Sequence, residues 1–122
     1  MNSERITFKK QFDDDLDIKT LKVHPDGRLL ALGGTVGNIH LWDLKSNSLS
    51  VSFQTEKQNI IDLIDFSNNG YLAVVGSTWS ENFETFDLRN PKQYLERIET
   101  SEELISLKFS QTGRSVLCGM PS

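Results

Sequence analysis

Apolar residues in this chain fall into short clusters separated by turn residues, as in "HPDGRLLALGGTVGNIHLWDL", residues 24–44. The clusters are of strand length, which predicts "KTLKVH", "RLLALGG", "NIHLWDL" and "LSVSFQT" as four successive strands. In the last of these Leu49, Val51 and Phe53 alternate with polar residues, the period of a strand with one wet face. "LLAL", "IHLWDL" and the later "YLAVV" are apolar on both faces, so the sheet they form must be covered on both sides. "IIDLIDF" by itself carries the i, i+3, i+4 apolar spacing of an amphipathic helix.

An internal repeat resolves that ambiguity. "LKVHPDGRLLALGG" from Leu21 recurs as "IDFSNNGYLAVVGS" from Ile64 and "LKFSQTGRSVLCGM" from Leu107, an offset of 43 residues each time. Gly27, Gly70 and Gly113 align, as do Val23, Phe66 and Phe109, and Gly33, Gly76 and Gly119; Phe8, Val51 and Tyr94 make a fourth column. The counterparts of "IIDLIDF" have no helical spacing, so it is read as a strand. "HPDG", "SNNG" and "SQTG" are turn formers ending in a glycine that tolerates positive φ. Four-stranded units of this length, each sandwiched between neighbours, describe the blades of a β-propeller. The expected fold is all-β, with antiparallel four-stranded blades in an incomplete ring. It comprises an outer strand at about residues 6–12, repeats at about 18–59 and 60–103, and a partial repeat at 104–122. Fewer than three blades cannot close a ring, so the missing blades are expected from the rest of a longer chain.

Composition narrows the function classes. Seventeen acidic against thirteen basic residues, with no Lys/Arg cluster, give no basic face for a nucleic-acid backbone. "MNSERITFKKQF" lacks the apolar core of a secretory signal, and no stretch approaches a membrane span, so a soluble protein is expected. His24 and His40 are isolated and read as structural, giving neither a triad nor a ligand set. "DDDLD", Asp13 to Asp17, lacks the spaced ligands of a calcium loop and reads as a solvated charge run. Gly33, Gly34 and Gly37 are not followed by the Lys-Ser/Thr of a phosphate loop. Cys118, the single cysteine, reads as a small buried apolar residue. No catalytic, cofactor-binding or metal-binding residue is expected. Trp79, in the loop "STWSEN", is the leading candidate for protein binding, because loops carry binding residues and Trp is enriched in hot spots. The alternative is that it folds down over the adjacent blade. Lys57 and Arg89, flanking blade ends, are further candidates.

"LALGGTVGNIHLWDL", ending in Trp42-Asp43, and "VVGSTWSENFETFDL", with Phe86-Asp87 in the same role, resemble WD repeats. More narrowly, "VHPDGRLLALGG", "DFSNNGYLAVVGS" and "FDLRNPKQYL" in this order resemble the C-terminal propeller of the pre-mRNA-processing factor nineteen family of U-box ubiquitin-protein ligases. The resemblance implies a non-enzymatic interaction scaffold in the nucleus. Splicing-complex subunits and ubiquitination substrates would be its partners, and splicing and DNA repair its setting. The U-box that carries ligase chemistry in that family has no counterpart here. The Gly-His pair of the WD pattern is replaced by Glu56-Lys57, and its turn Asp by Val36, so the hydrogen-bond network they would make is expected to be missing. Alternative readings are a WD-repeat subunit of a ribosome-biogenesis or trafficking assembly, and, less favoured, an enzyme.

Overall fold

The computed structural model describes residues 18–57 and 59–121. The expected outer strand and the Asp13 to Asp17 run lie outside them. Among the described residues every regular element is a strand. The first sheet has the order β1 (Thr20–Val23), β2 (Leu29–Gly33), β3 (Asn38–Asp43), β4 (Ser48–Gln54). The second repeats it with β5 (Leu63–Phe66), β6 (Leu72–Gly76), β7 (Asn82–Asp87) and β8 (Glu96–Glu99). β9 (Ser106–Phe109) and β10 (Val116–Gly119) make a two-stranded third. All pairings are antiparallel between sequence neighbours, which makes each sheet a meander and a propeller blade. The ambiguous "IIDLIDF" ends in strand β5.

The turn between the first two strands of each blade is built the same way three times. The amides of Gly27, Gly70 and Gly113 donate to the carbonyls of His24, Ser67 and Ser110 at 2.9 Å, and all three glycines have φ between +72° and +80°. The residue before each glycine caps the strand that follows: Asp26 Oδ1 accepts from the Arg28 amide, Asn69 Oδ1 from Tyr71, and Thr112 Oγ1 from Arg114. The fourth sequence column does not hold in space. Val51 faces Leu41 across the sheet, whereas Thr85, the counterpart of Leu41, faces Glu96, two residues beyond Tyr94. The longer connection from β7 to β8 takes up the slip, and Tyr94 packs beside Val51 on the same core.

Two cores separate the blades. Leu41, Phe53, Ile61, Phe66 and Phe86 fill the first, where the Phe53 and Phe86 rings lie 4.6 Å apart. Val74, Phe83, Leu104, Leu107 and Phe109 fill the second. Burying such side chains contributes about 1.5–3 kcal/mol each, the main force holding blade to blade. Polar straps fix the angle. Asp65 on β5 accepts from the Phe109 amide at 2.7 Å and faces Lys22 Nζ at 3.5 Å, touching all three blades' first strands. His24 Nε2–H donates to the Gly70 carbonyl at 2.8 Å, while its ring packs edge-on against Phe66. Asn68 Nδ2 donates to the Gln111 carbonyl, stapling the next pair of turns.

Candidate protein-interaction surface

Trp79 lies in the connection between β6 and β7, at the end of the blade opposite the glycine turns. Its backbone is held on both sides: Trp79 N–H donates to Leu104 C=O and Leu104 N–H to Ser80 C=O, each at 2.8 Å. Ser80 Oγ donates to Ser77 C=O at 2.7 Å, and the Thr78 amide to Asp62 Oδ1 at 2.7 Å. The loop is therefore anchored to its own blade and to the next, yet the indole is 61% exposed. Trp79 also has φ 73°, a region that a bulky side chain rarely occupies and that clusters at functional sites. Lys57 is exposed at the same end, beside a small cleft that it lines with Thr55, Ser77 and Ser80.

Arg89 is at the other end. The five rises of about 3.3 Å along the six residues of β7 put roughly 17 Å between the two ends, so Arg89 does not join Trp79 and Lys57. Its guanidinium meets Asp87 twice at 2.9 Å and stacks on the Tyr71 ring, 4.4 Å from the centroid. In the first blade Arg28 occupies the Tyr71 position and clamps Asp43 directly at 3.0–3.1 Å, holding its carboxyl down at about 2. Asp43 and Asp87 have the same second task, accepting from the amides of Lys45 and Arg89 in the turn that follows. Trp42 Nε1 donates to Asn47, and Phe86, its counterpart, is fully buried.

In place of a His/Asp network between blades, the structure has a carboxylate. Glu84 on β7, 2% exposed, accepts from the Glu56 amide at 3.2 Å, and burial raises its carboxyl above the usual range. Arg97, opposite Glu84 across the sheet, pairs with Glu56 at 3.1 Å, and Tyr94 hydrogen-bonds Glu56 as well. Sequence reading missed this cluster; its signal was a lone carboxylate inside the apolar run "NFETF". His40, the Glu84 counterpart, hydrogen-bonds Ser52 at 2.6 Å and Asn38 at 3.1 Å, and burial lowers its pKa. Burial pushes the Cys118 thiol up, away from the reactive thiolate. Among the described residues no three His, Cys, Asp or Glu side chains could hold a metal ion. No helix among them is long and apolar enough to cross a membrane.

The family model described as the anaphase-promoting complex subunit 4 WD40 domain matches residues 1–82, two thirds of the sequence. The chain belongs to the WD40 family. The fold agrees: the β-propeller domain of Cps50 (Swd1) from Myceliophteria thermophila superposes with a TM-score of 0.73 at 14% identity, over 84% of this WD40 chain and 32% of that one. The small ribosomal subunit protein RACK1 of Caenorhabditis elegans is 31% identical over 115 residues, 84% of this chain and 33% of its own length. The pre-mRNA-processing factor 19 homolog 2 of Arabidopsis thaliana is 30% identical over 107 residues, 84% of this chain and 19% of its own. The WD40 chain thus spans a third or less of these relatives. Its relation to a splicing-factor propeller is matched by an equal one to RACK1, so the broad family is shown and the narrow one is not.

Proposed function

We propose that this WD40 chain presents the β6–β7 loop to protein partners, with Trp79 as the anchor and Lys57 beside it. The observation that carries this reading is a tryptophan held 61% exposed at φ 73° by bonds to two blades. A mere loop filler would sit on the core. Splicing-complex subunits and ubiquitination substrates in the nucleus are the partners in the first reading, supported by the pre-mRNA-processing relative. The ribosomal small subunit is the second, supported by the RACK1 relatives at 31% identity. The chain's role is recruitment in both, with no ligase chemistry of its own. Trp79→Ala should weaken partner capture by at least about 2 kcal/mol, roughly thirtyfold, and leave melting nearly unchanged. The test is to compare wild-type and Trp79→Ala chains as immobilised bait, probing for splicing-complex and small-subunit proteins separately. Unchanged capture of both sets would refute the loop as the site.

A further inference from the structure

The connections at the two ends of the blades differ in charge. Those at the Trp79 end hold Glu56, Asp62, Glu81, Glu102 and Glu103, with Lys57 as the one basic residue. Those at the glycine-turn end hold Arg28, Lys45, Arg89, Lys92 and Arg114, with Asp26 as the one carboxylate. The basic end is partly quenched, because Arg28 and Arg89 clamp Asp43 and Asp87. At the acidic end Glu81 and Glu103 are exposed and form no ion pair among the described residues.

Apolar surface lies among those carboxylates. Leu104 C=O accepts from the Trp79 amide and Leu104 N–H donates to Ser80 C=O, while the Thr100 amide donates to Glu81 C=O at 2.7 Å. These bonds lay the β6–β7 and β8–β9 connections side by side, so Trp79 and Ile105, both exposed, form a strip bordered along the chain by Glu81 and Glu103. One blade earlier the Ile61 amide donates to Gly34 C=O, with Val36 and Ile60 exposed beside that bond. All four apolar residues sit in connections, not on the sheet faces that pack blade to blade. An exposed apolar strip with a polar rim marks a protein-interaction site, and the sign of the rim selects the partner.

We infer that this strip docks an arginine-bearing basic segment of a partner protein. The inference rests on the reading of Trp79 as the partner anchor and adds the chemistry of what is anchored. An arginine stem lies along Ile105 and the indole while its head reaches Glu81 or Glu103. A guanidinium over the indole face adds a cation–π contact, as Arg89 makes with Tyr71 inside this chain at 4.4 Å. A second copy is the poorer occupant, since two arginines of its basic end are already clamped.

The probe is a labelled peptide alternating arginine with serine, titrated against the 122-residue chain by fluorescence anisotropy. Replacing both Glu81 and Glu103 by lysine should weaken binding at least about tenfold and flatten its salt dependence, with melting unchanged. Glu96→Lys, at the opposite end of β8, should bind like the wild type. A lysine/serine peptide should bind about fivefold more weakly than the arginine one, and Trp79→Ala should erase that preference. Equal binding of a glutamate/serine peptide would overturn the proposal. So would a loss with Glu96→Lys as large as with the paired reversal, an arginine preference that survives Trp79→Ala, or self-association that the paired reversal dissolves and the probe does not displace. Failure here, with partner capture still lost in Trp79→Ala, removes the basic segment and leaves the loop as the site; capture unchanged by Trp79→Ala removes the loop itself.

Discussion

Gly27 and Gly70 occupy the same turn position at nearly the same φ, +72° and +80°, but a side chain would meet different surroundings at each. A Cβ at Gly27 finds open space, whereas one at Gly70 would lie 2.6 Å from Cε1 of His24. Valine at either position carries the strain of positive φ, about 1–3 kcal/mol. At Gly70 it must also displace the ring that staples the two blades, a further loss of about 1 kcal/mol. Gly70→Val is thus expected to lower the melting temperature more than Gly27→Val, and equal shifts at low micromolar concentration would contradict the staple. Asp43 gives a pH dependence of known sign. Its carboxyl is depressed from 3.8 to about 2, chiefly by the hydrogen bond from Arg28. Because the folded value lies below the unfolded one, the stabilisation is complete above pH 3.8 and is lost as pH falls through about 2. Carboxyl titration by nuclear magnetic resonance should find Asp43 near 2 in the wild type and clearly higher in Arg28→Gln, where only the Lys45 and Ser46 amides still hold it down.

At the scale of elements, the strands were legible because each blade repeats one pattern, and β1 through β4 match the segments expected from apolar clusters to within about one residue at most ends. Less legible was what the third strands do. Phe86 reads as one more aromatic in a WD-type pair, but its 0% exposure and its contact with Phe53 make it the plug between two blades. Phe86→Ala is expected to destabilise the chain by about 3–5 kcal/mol, read as a lower midpoint in urea denaturation. A loss below about 1 kcal/mol would mean that the two blades do not rely on that plug. Glu84 was passed over for a related reason: sequence alone does not say that the Glu56 amide and Arg97 converge on it.

For the whole molecule, the outer faces matter most. Lys22 points at the second blade, so its neighbours Leu21 and Val23 point away, 58% and 56% exposed; Leu49 at 51% and Leu117 at 58% are exposed likewise. Apolar faces of this kind, and a β10 edge paired on one side only among the described residues, drive association. The 122-residue chain is expected to sediment as oligomers that Leu117→Lys diminishes; a compact monomer at all concentrations would contradict this. The repeat of 43 residues, the four-strand blade and the glycine turns were determined by the sequence itself, since they rest on local preferences and on periodicity that recurs in every copy. Tertiary structure alone decided that His24 and Asp65 strap blades together and that Arg89 is engaged at the end away from Trp79. The straps depend on contacts between residues about 43 apart, where one blade's side chains meet the next, and no local pattern encodes that meeting.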